Sequence, residues 1–193
     1  MDAGAGMGRG EGMKISIINH ADNWQAVKDA AMNTVGKDTG KYPSSEWKRS
    51  ILLAEHSPIR LLEFTIRMED IPYWVSVHLV RHKTGVEHWV STQRTDRTGI
   101  NRNELPQGAL VSHTMHINAQ ALIYISRKRL CNQASPETRR VWWHVINQLR
   151  MYEPEIASVC VPECVYRGFC PEMQGCGYCM TDEYDYQREV YHG

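Results

Sequence analysis

The segment PETRRVWWHVINQLRM, opening at Pro136, constrains the fold more than any other part of the chain. Ser135 suits a helix N-cap, and Pro136 suits the first helical position, where its missing N–H costs nothing. Val141, Trp142, Val145, Ile146 and Leu149 then recur at helical spacing. One side of this helix is apolar and needs a layer to pack on. Two runs read as strands that could supply it. MKISIINH, residues 13–20, alternates apolar and polar, and LLEFTIRM, from Leu61, is rich in β-formers.

Between and beyond these runs the pattern alternates. Trp24, Val27, Ala30, Ala31 and Val35 have helical spacing. Ser44 or Ser45 can cap a helix carrying Trp47, Ile51, Leu52 and Ala54, and HSPIR breaks it. Pro72 suits the first turn of a helix with Trp74, Val75, Val77, Leu79 and Val80, ending near Arg81. WVST reads as extended and TDRTGINRNELPQGA as a turn-rich connector. Residues 111–131 read as one long helix. The order predicts an α+β domain over residues 13–158. A Cys-rich tail over 159–193 follows it, and a Gly-rich leader over 1–12 precedes it.

The 193 residues carry 22 Lys+Arg and 22 Asp+Glu, so formal net charge is +0. That balance argues against a nucleic-acid partner, which a basic surface would attract. No apolar run reaches the roughly 20 residues needed to span a bilayer, and no signal peptide is visible, which predicts a cytoplasmic protein. Against this neutral background, RHKTGVEHWVSTQRTDR gathers Arg81, Lys83, Arg94 and Arg97 with His82 in one stretch. By itself such a run reads as a solvated cationic loop.

Spacing changes that reading. Arg81-His82-Lys83, seven residues, then Ser91 resembles the Arg-His-Arg, seven residues, Ser signature of the flavin-dependent thymidylate synthases. EHSPIRLLEFTI resembles the family's Thr-Pro segment, with Ser57 at the Thr position. LPQGALVSHTMHINAQAL resembles its Leu-Pro followed by Asn-Ala-Arg. Arg102, three residues before Leu105, and Arg129, eleven after Asn118, match arginines that the family places on the nucleotide.

The resemblance implies a mixed or antiparallel sheet packed with helices, and a homotetramer with sites at subunit interfaces. It also implies dUMP methylation to dTMP, with methylenetetrahydrofolate as carbon donor and FAD, reduced by NADPH, as hydride source. Arg81 and Arg129 would be catalytic. His78, Ser91, Gln93, Arg94 and Arg102 would join them on the substrate. Ser57, His82, Lys83, Asn118, Gln120 and Tyr124 would hold the flavin. Two phosphorylated ligands suit arginine forks, because guanidinium meets phosphate bidentately.

Several positions depart from the family pattern. His88 and Trp89 stand for Asn-Glu, His78 for Gln, Gln93 and Gln120 for Arg, Tyr124 for Asn, Arg60 for Glu and Lys83 for Arg. They leave room for UMP, dCMP or CMP as substrate, for hydroxymethylation, or for a relative that binds nucleotide or flavin without turnover. His88, His113, His116 and His144 read as structural or surface histidines, and the Trp142-Trp143 pair as core or subunit interface.

Five of the six cysteines fall in the tail. Cys164, Cys170, Cys176 and Cys179 have a spacing that a tetrahedral zinc accepts. Cys160 is an alternative to Cys164, and an iron–sulfur cluster would use the same ligands. Cys131 reads as a small buried hydrophobe.

Overall fold

Alternation decides the sheet. The computed structural model describes residues 12–38 and 40–192, so the expected leader lies outside them except for Gly12. Strand β1 (Lys14–His20) precedes helices α1 (Trp24–Asn33) and α2 (Ser45–Leu53), the latter capped by the Ser44 hydroxyl. A single 3₁₀ turn (Ser57–Leu61) leads into β2 (Glu63–Pro72). Pro72 closes that strand, and α3 (Tyr73–Leu79) starts one residue later. Then come β3 (Val86–Val90), the one-turn α4 (Thr95–Thr98) and β4 (Leu110–Asn118).

The long helix expected over residues 111–131 is therefore half strand. Val111, His113, Met115 and Ile117 are buried while their neighbours are not, the period of a half-buried strand. A buried His113 within the stripe masks the alternation. Helix α5 (Ala119–Arg129) begins only at Asn118, whose side-chain oxygen accepts from the Ala121 N–H.

The strands form an antiparallel sheet in the order β1-β2-β4-β3. A bulge in β2 falls at Asp70, whose φ is 57°. One face buries Phe64, Ile66, Met68, Met115 and Ile117, and the other carries Thr65, Arg67, Thr114 and His116. Helix α6 (Pro136–Arg150) starts at the Ser135 cap as expected and packs its buried stripe against β1, α3 and α5. Trp142 at its centre donates from Nε1 to Ser126 Oγ at 2.9 Å.

Helix α7 (Pro154–Val159) follows α6, and the tail beyond it contains α8 (Glu163–Arg167) and α9 (Asp182–His192). Val165, Tyr184 and Tyr191 from these last residues are buried in the same hydrophobic cluster as the sheet. Arg49 anchors the far end by donating to the carbonyls of Val190 and Tyr191, both at 2.7 Å.

Candidate functional site

The cations converge where helices end. α3 delivers His78 on its last turn, and Arg81 and His82 follow in the turn to β3. α5 delivers Arg129 as its last residue, facing the same turn. Arg129 Nη2 donates to the His78 carbonyl at 2.6 Å, and its Nε donates to His82 Nε2 at 2.9 Å. A guanidinium N–H can only donate, so His82 Nε2 bears no proton. His82 is thus neutral, with its hydrogen on Nδ1. Tyr124 meets the His82 ring edge-on, with centroids 6.3 Å apart.

Burial, the Arg129 charge and His88 together push the His82 pKa down to about 4. Burial and the nearby Arg81 charge lower Arg129. Among the described residues neither Arg81 nor Arg129 has a carboxylate partner, whereas Arg94, Arg97, Arg127 and Arg167 each have one. Two guanidiniums close enough to feel each other and left unneutralised form a local field that favours an anion.

A histidine pair lies beneath the turn. His88 Nε2 donates to the His82 carbonyl at 2.8 Å, since a carbonyl only accepts. In neutral His88, Nδ1 is then an acceptor and takes the hydrogen of His113 Nε2 at 3.0 Å. Among the described residues the buried His113 Nδ1 has no hydrogen-bond partner. Burial, with His88 second, pushes His113 down to about 4. These histidines, read from the sequence as structural or surface, hold the His82 turn from below. The one signal that could have found them is His113 itself, spaced two residues from Val111 and Met115.

The sign of the pH response follows. An unfolded histidine takes up a proton near 6.5, while His82 and His113 resist protonation until about 4. The folded state therefore loses stability as pH falls from about 6.5 to about 4, because only the unfolded chain gains protons there. Urea unfolding at pH 7.5, 6, 5 and 4.5 should show a steady fall, and His113→Gln should flatten it. A pH-independent midpoint across that range would refute the neutral pair.

Gly85 sits between the cluster and α5. Its φ is 71°, and a Cβ there would stand 2.6 Å from Asn118 Nδ2. The backbone N–H of Asn118 donates to the Gly85 carbonyl at 3.0 Å. Asn118 thus ties the start of α5 to the loop after Lys83, and Lys83 itself is exposed.

Other expected residues go elsewhere. Gln120 turns away and donates to Glu55 Oε2 at 2.6 Å, next to the Arg127–Glu55 ion pair. The His78 ring is taken by Thr138 Oγ1 at 2.9 Å, so its backbone carbonyl is what it offers the site. Ser91 is paired with Ser112 just past β3. Gln93 is half-buried in the connector beyond it. Arg94 is held by Asp96, and Arg102, whose N–H donates to Thr95 Oγ1, shares a shallow concavity with Arg94, Thr95 and Asp96. Ser57 is exposed at the start of the 3₁₀ turn. Trp89 is 57% exposed on the sheet face opposite His88.

A groove of about 1000 Å³ lies elsewhere, walled by α6, α9 and the cysteine loop; its lining does not include Arg81, His82 or Arg129. None of the six cysteines is paired in a disulfide. Among the described residues no group of three or more His, Cys, Asp or Glu side chains is arranged to hold a metal ion. Cys164, Cys170, Cys176 and Cys179, expected from the sequence to hold zinc, therefore do not form such a group here.

No family model matches the sequence, and no curated protein does. Solved structures do match. A UMP/dUMP methylase from Streptomyces cacaoi, bound with 5-Br dUMP, superposes with a TM-score of 0.61 at 14% identity, over 81% of this chain and 95% of that one. Thymidylate synthase X from Helicobacter pylori, with FAD and dUMP, superposes with a TM-score of 0.61 at 11% identity, over 77% of this chain and 99% of that one. The chain has the α+β fold of these proteins.

Proposed function

We propose that the chain is a flavin-dependent C5 methylase of a pyrimidine nucleotide, with dUMP as substrate. The Arg129 guanidinium on the neutral His82, with Arg81 near enough to be felt by Arg129 and no carboxylate pairing either among the described residues, carries this reading. The fold agrees with it: one neighbour is a UMP/dUMP methylase and the other holds FAD and dUMP.

The donor set suits both ligands. Arg81 and Arg129 are fixed cations for a phosphate or for negative charge developing on a pyrimidine carbonyl. His82 offers an Nδ1–H to a flavin acceptor, with Lys83 and Asn118 on the same loop junction. FAD, reduced by NADPH, supplies hydride when bound, and methylenetetrahydrofolate supplies the carbon. The protein's own part is to orient the ring, hold His82 neutral and concentrate positive field.

The cluster stands at the surface of a single chain, which suits a homotetramer in which a second copy closes the pocket. Arg94 and Arg102, on the loop between β3 and β4, would reach the nucleotide from there. Because Arg94 and Gln93 sit on a loop held mainly by its own contacts, a different pyrimidine nucleotide is the second reading.

The test is a substrate panel. The purified chain should bind FAD, turning yellow. With NADPH and methylenetetrahydrofolate, dUMP should gain the mass of one methylene, read against UMP, dCMP and CMP. A gain on another nucleotide alone would replace dUMP and keep the C5 chemistry. Binding without any gain would leave a non-catalytic relative.

A further inference from the structure

We propose that His88 is a positioning residue of the His82–Arg129 site: by holding the His82 carbonyl, it turns the backbone N–H of Lys83 outward as a further donor to the anionic ligand. The proposal rests on the flavin and nucleotide reading above. His88 stands on β3, an edge of the sheet, and His113 on the neighbouring β4. They meet diagonally, since Met115 is the direct partner of His88 and Val90 that of His113. His113 Nε2 donates to His88 Nδ1 at 3.0 Å, and His88 Nε2 donates to the His82 carbonyl at 2.8 Å. Two imidazoles thus run in series from the sheet to one backbone oxygen.

That oxygen matters because of the peptide it belongs to. No peptide bond among the described residues is cis. In a planar trans peptide the C=O and the following N–H point to opposite sides. With the His82 carbonyl drawn to His88, the Lys83 N–H faces the other way. It has no hydrogen-bond partner among the described residues, and Lys83 and Thr84 are exposed. The flanking groups are tied by other elements. The His82 N–H donates to the Leu79 carbonyl at 3.0 Å, the Gly85 carbonyl accepts from the Asn118 N–H at 3.0 Å, and Arg129 holds the His82 ring. The His88 bond is the one that sets the plane between residues 82 and 83. A backbone N–H fixed beside Arg81 adds a directed donor where the arginines add field.

Packing alone does not account for the pair. His113 is 0% exposed, and its Nδ1 has no partner among the described residues. Val111, Met115 and Ile117 fill the other inward positions of β4. An apolar residue at 113 would continue that stripe and strand no acceptor. What the imidazole adds is its Nε2–H. That hydrogen makes His88 Nδ1 an acceptor, so neutral His88 carries its own hydrogen on Nε2, where the His82 carbonyl takes it. His113 therefore selects the tautomer, and His88 applies it to the turn.

The experiment compares the full-length chain with His88→Gln, His88→Met and the double variant His88→Met/His113→Leu. The first keeps a donor near the place of the imidazole Nε2. The double variant removes both partners of the buried bond, so no donor is stranded and the Tm should hold. FAD affinity and Tm are measured on each, and the His82 ring and the Lys83 amide are followed by NMR before and after FAD is added. The native chain should show one His82 tautomer, Nδ1–H, and its Lys83 amide should shift with FAD. His88→Gln should match it in both and in affinity. The double variant should lose the single tautomer and bind FAD about tenfold more weakly, the effect of one hydrogen bond. His88→Gln against His88→Met decides the matter should the double variant not fold. Three results would overturn the proposal: native affinity and native tautomer in a folded variant without the donor, loss of both in His88→Gln, or an unmoved Lys83 amide in the FAD-bound native chain. If no form binds FAD, native included, the flavin reading fails, and the tautomer comparison alone decides whether His88 positions the turn.

Discussion

Arg129→Ala should lower C5 methylation of dUMP by roughly 100- to 1000-fold, the usual effect of removing one fixed donor of positive charge from a reacting site. The expectation rests on three features of this arginine. It is half-buried and its charge has no acidic partner among the described residues, so its field is directed at whatever anion arrives. Its Nε also fixes His82 as the Nδ1–H tautomer, and its Nη2 pins the end of α3. Arg129→Lys separates these roles. It keeps the charge but cannot fork between His82 Nε2 and the His78 carbonyl. Nucleotide affinity should partly return in the lysine variant while kcat stays low. Steady-state kinetics with FAD, NADPH and methylenetetrahydrofolate measure both. Activity within threefold of native in Arg129→Ala would remove this cluster from the chemistry.

Glu55→Ala should cost about 3 kcal/mol of stability, the lower end for leaving a buried charge unpaired. Glu55 bonds Gln120 through one carboxylate oxygen and Arg127 through the other. Arg127 is 7% exposed, its Nε has no partner, and its guanidinium carbon lies 3.5 Å from the centre of the Tyr166 ring. Removing the carboxylate strands that charge between α5 and α8. For a chain of this size the loss is a fall in Tm of about 6–12 °C. Glu55 also sits at φ 49°, a conformation that asparagine or glycine adopts more easily. Glu55→Gly should therefore be no worse than Glu55→Ala despite its greater chain entropy. A Tm change under about 1 °C in Glu55→Ala would mean that the arginine is neutralised some other way.

Local signals survived into the fold where they were self-sufficient. The Ser44 and Ser135 caps, the alternation in residues 13–20 and the stripe of α6 each need only neighbours in sequence. Failure came where a local signal was mixed. In residues 111–131 a buried histidine interrupted the apolar side of a strand, and the strand ran into α5 with only Asn118 between them. The candidate site was legible in part: His82 and Arg129 meet, while Gln120, Arg94 and Ser91 are bonded to other partners. Arg81, His82, Asn118 and Arg129 stand at element ends, where spacing in sequence translates into proximity. The destination of Gln120 was not legible, because its partner Glu55 lies 65 residues away.

Helix α5 is fastened at both ends, and this bears on how substrate range could drift in proteins of this shape. Its start is locked to Gly85 through Asn118, and its finish is caught by His82, the His78 carbonyl and, four residues on, the clasp made by Gln133 on the Gln174 carbonyl. A mutation that slides or tilts it breaks several bonds at once, so it is a poor place for gradual change. The stretch from Gln93 to Glu104 is the reverse. The bonds of Arg94 to Asp96, Thr95 to Arg102 and Asn101 to Glu104 lie within it. It can be rewritten residue by residue with little disturbance of the scaffold, which makes it, on the proposed reading, the natural ground for redesigning nucleotide choice.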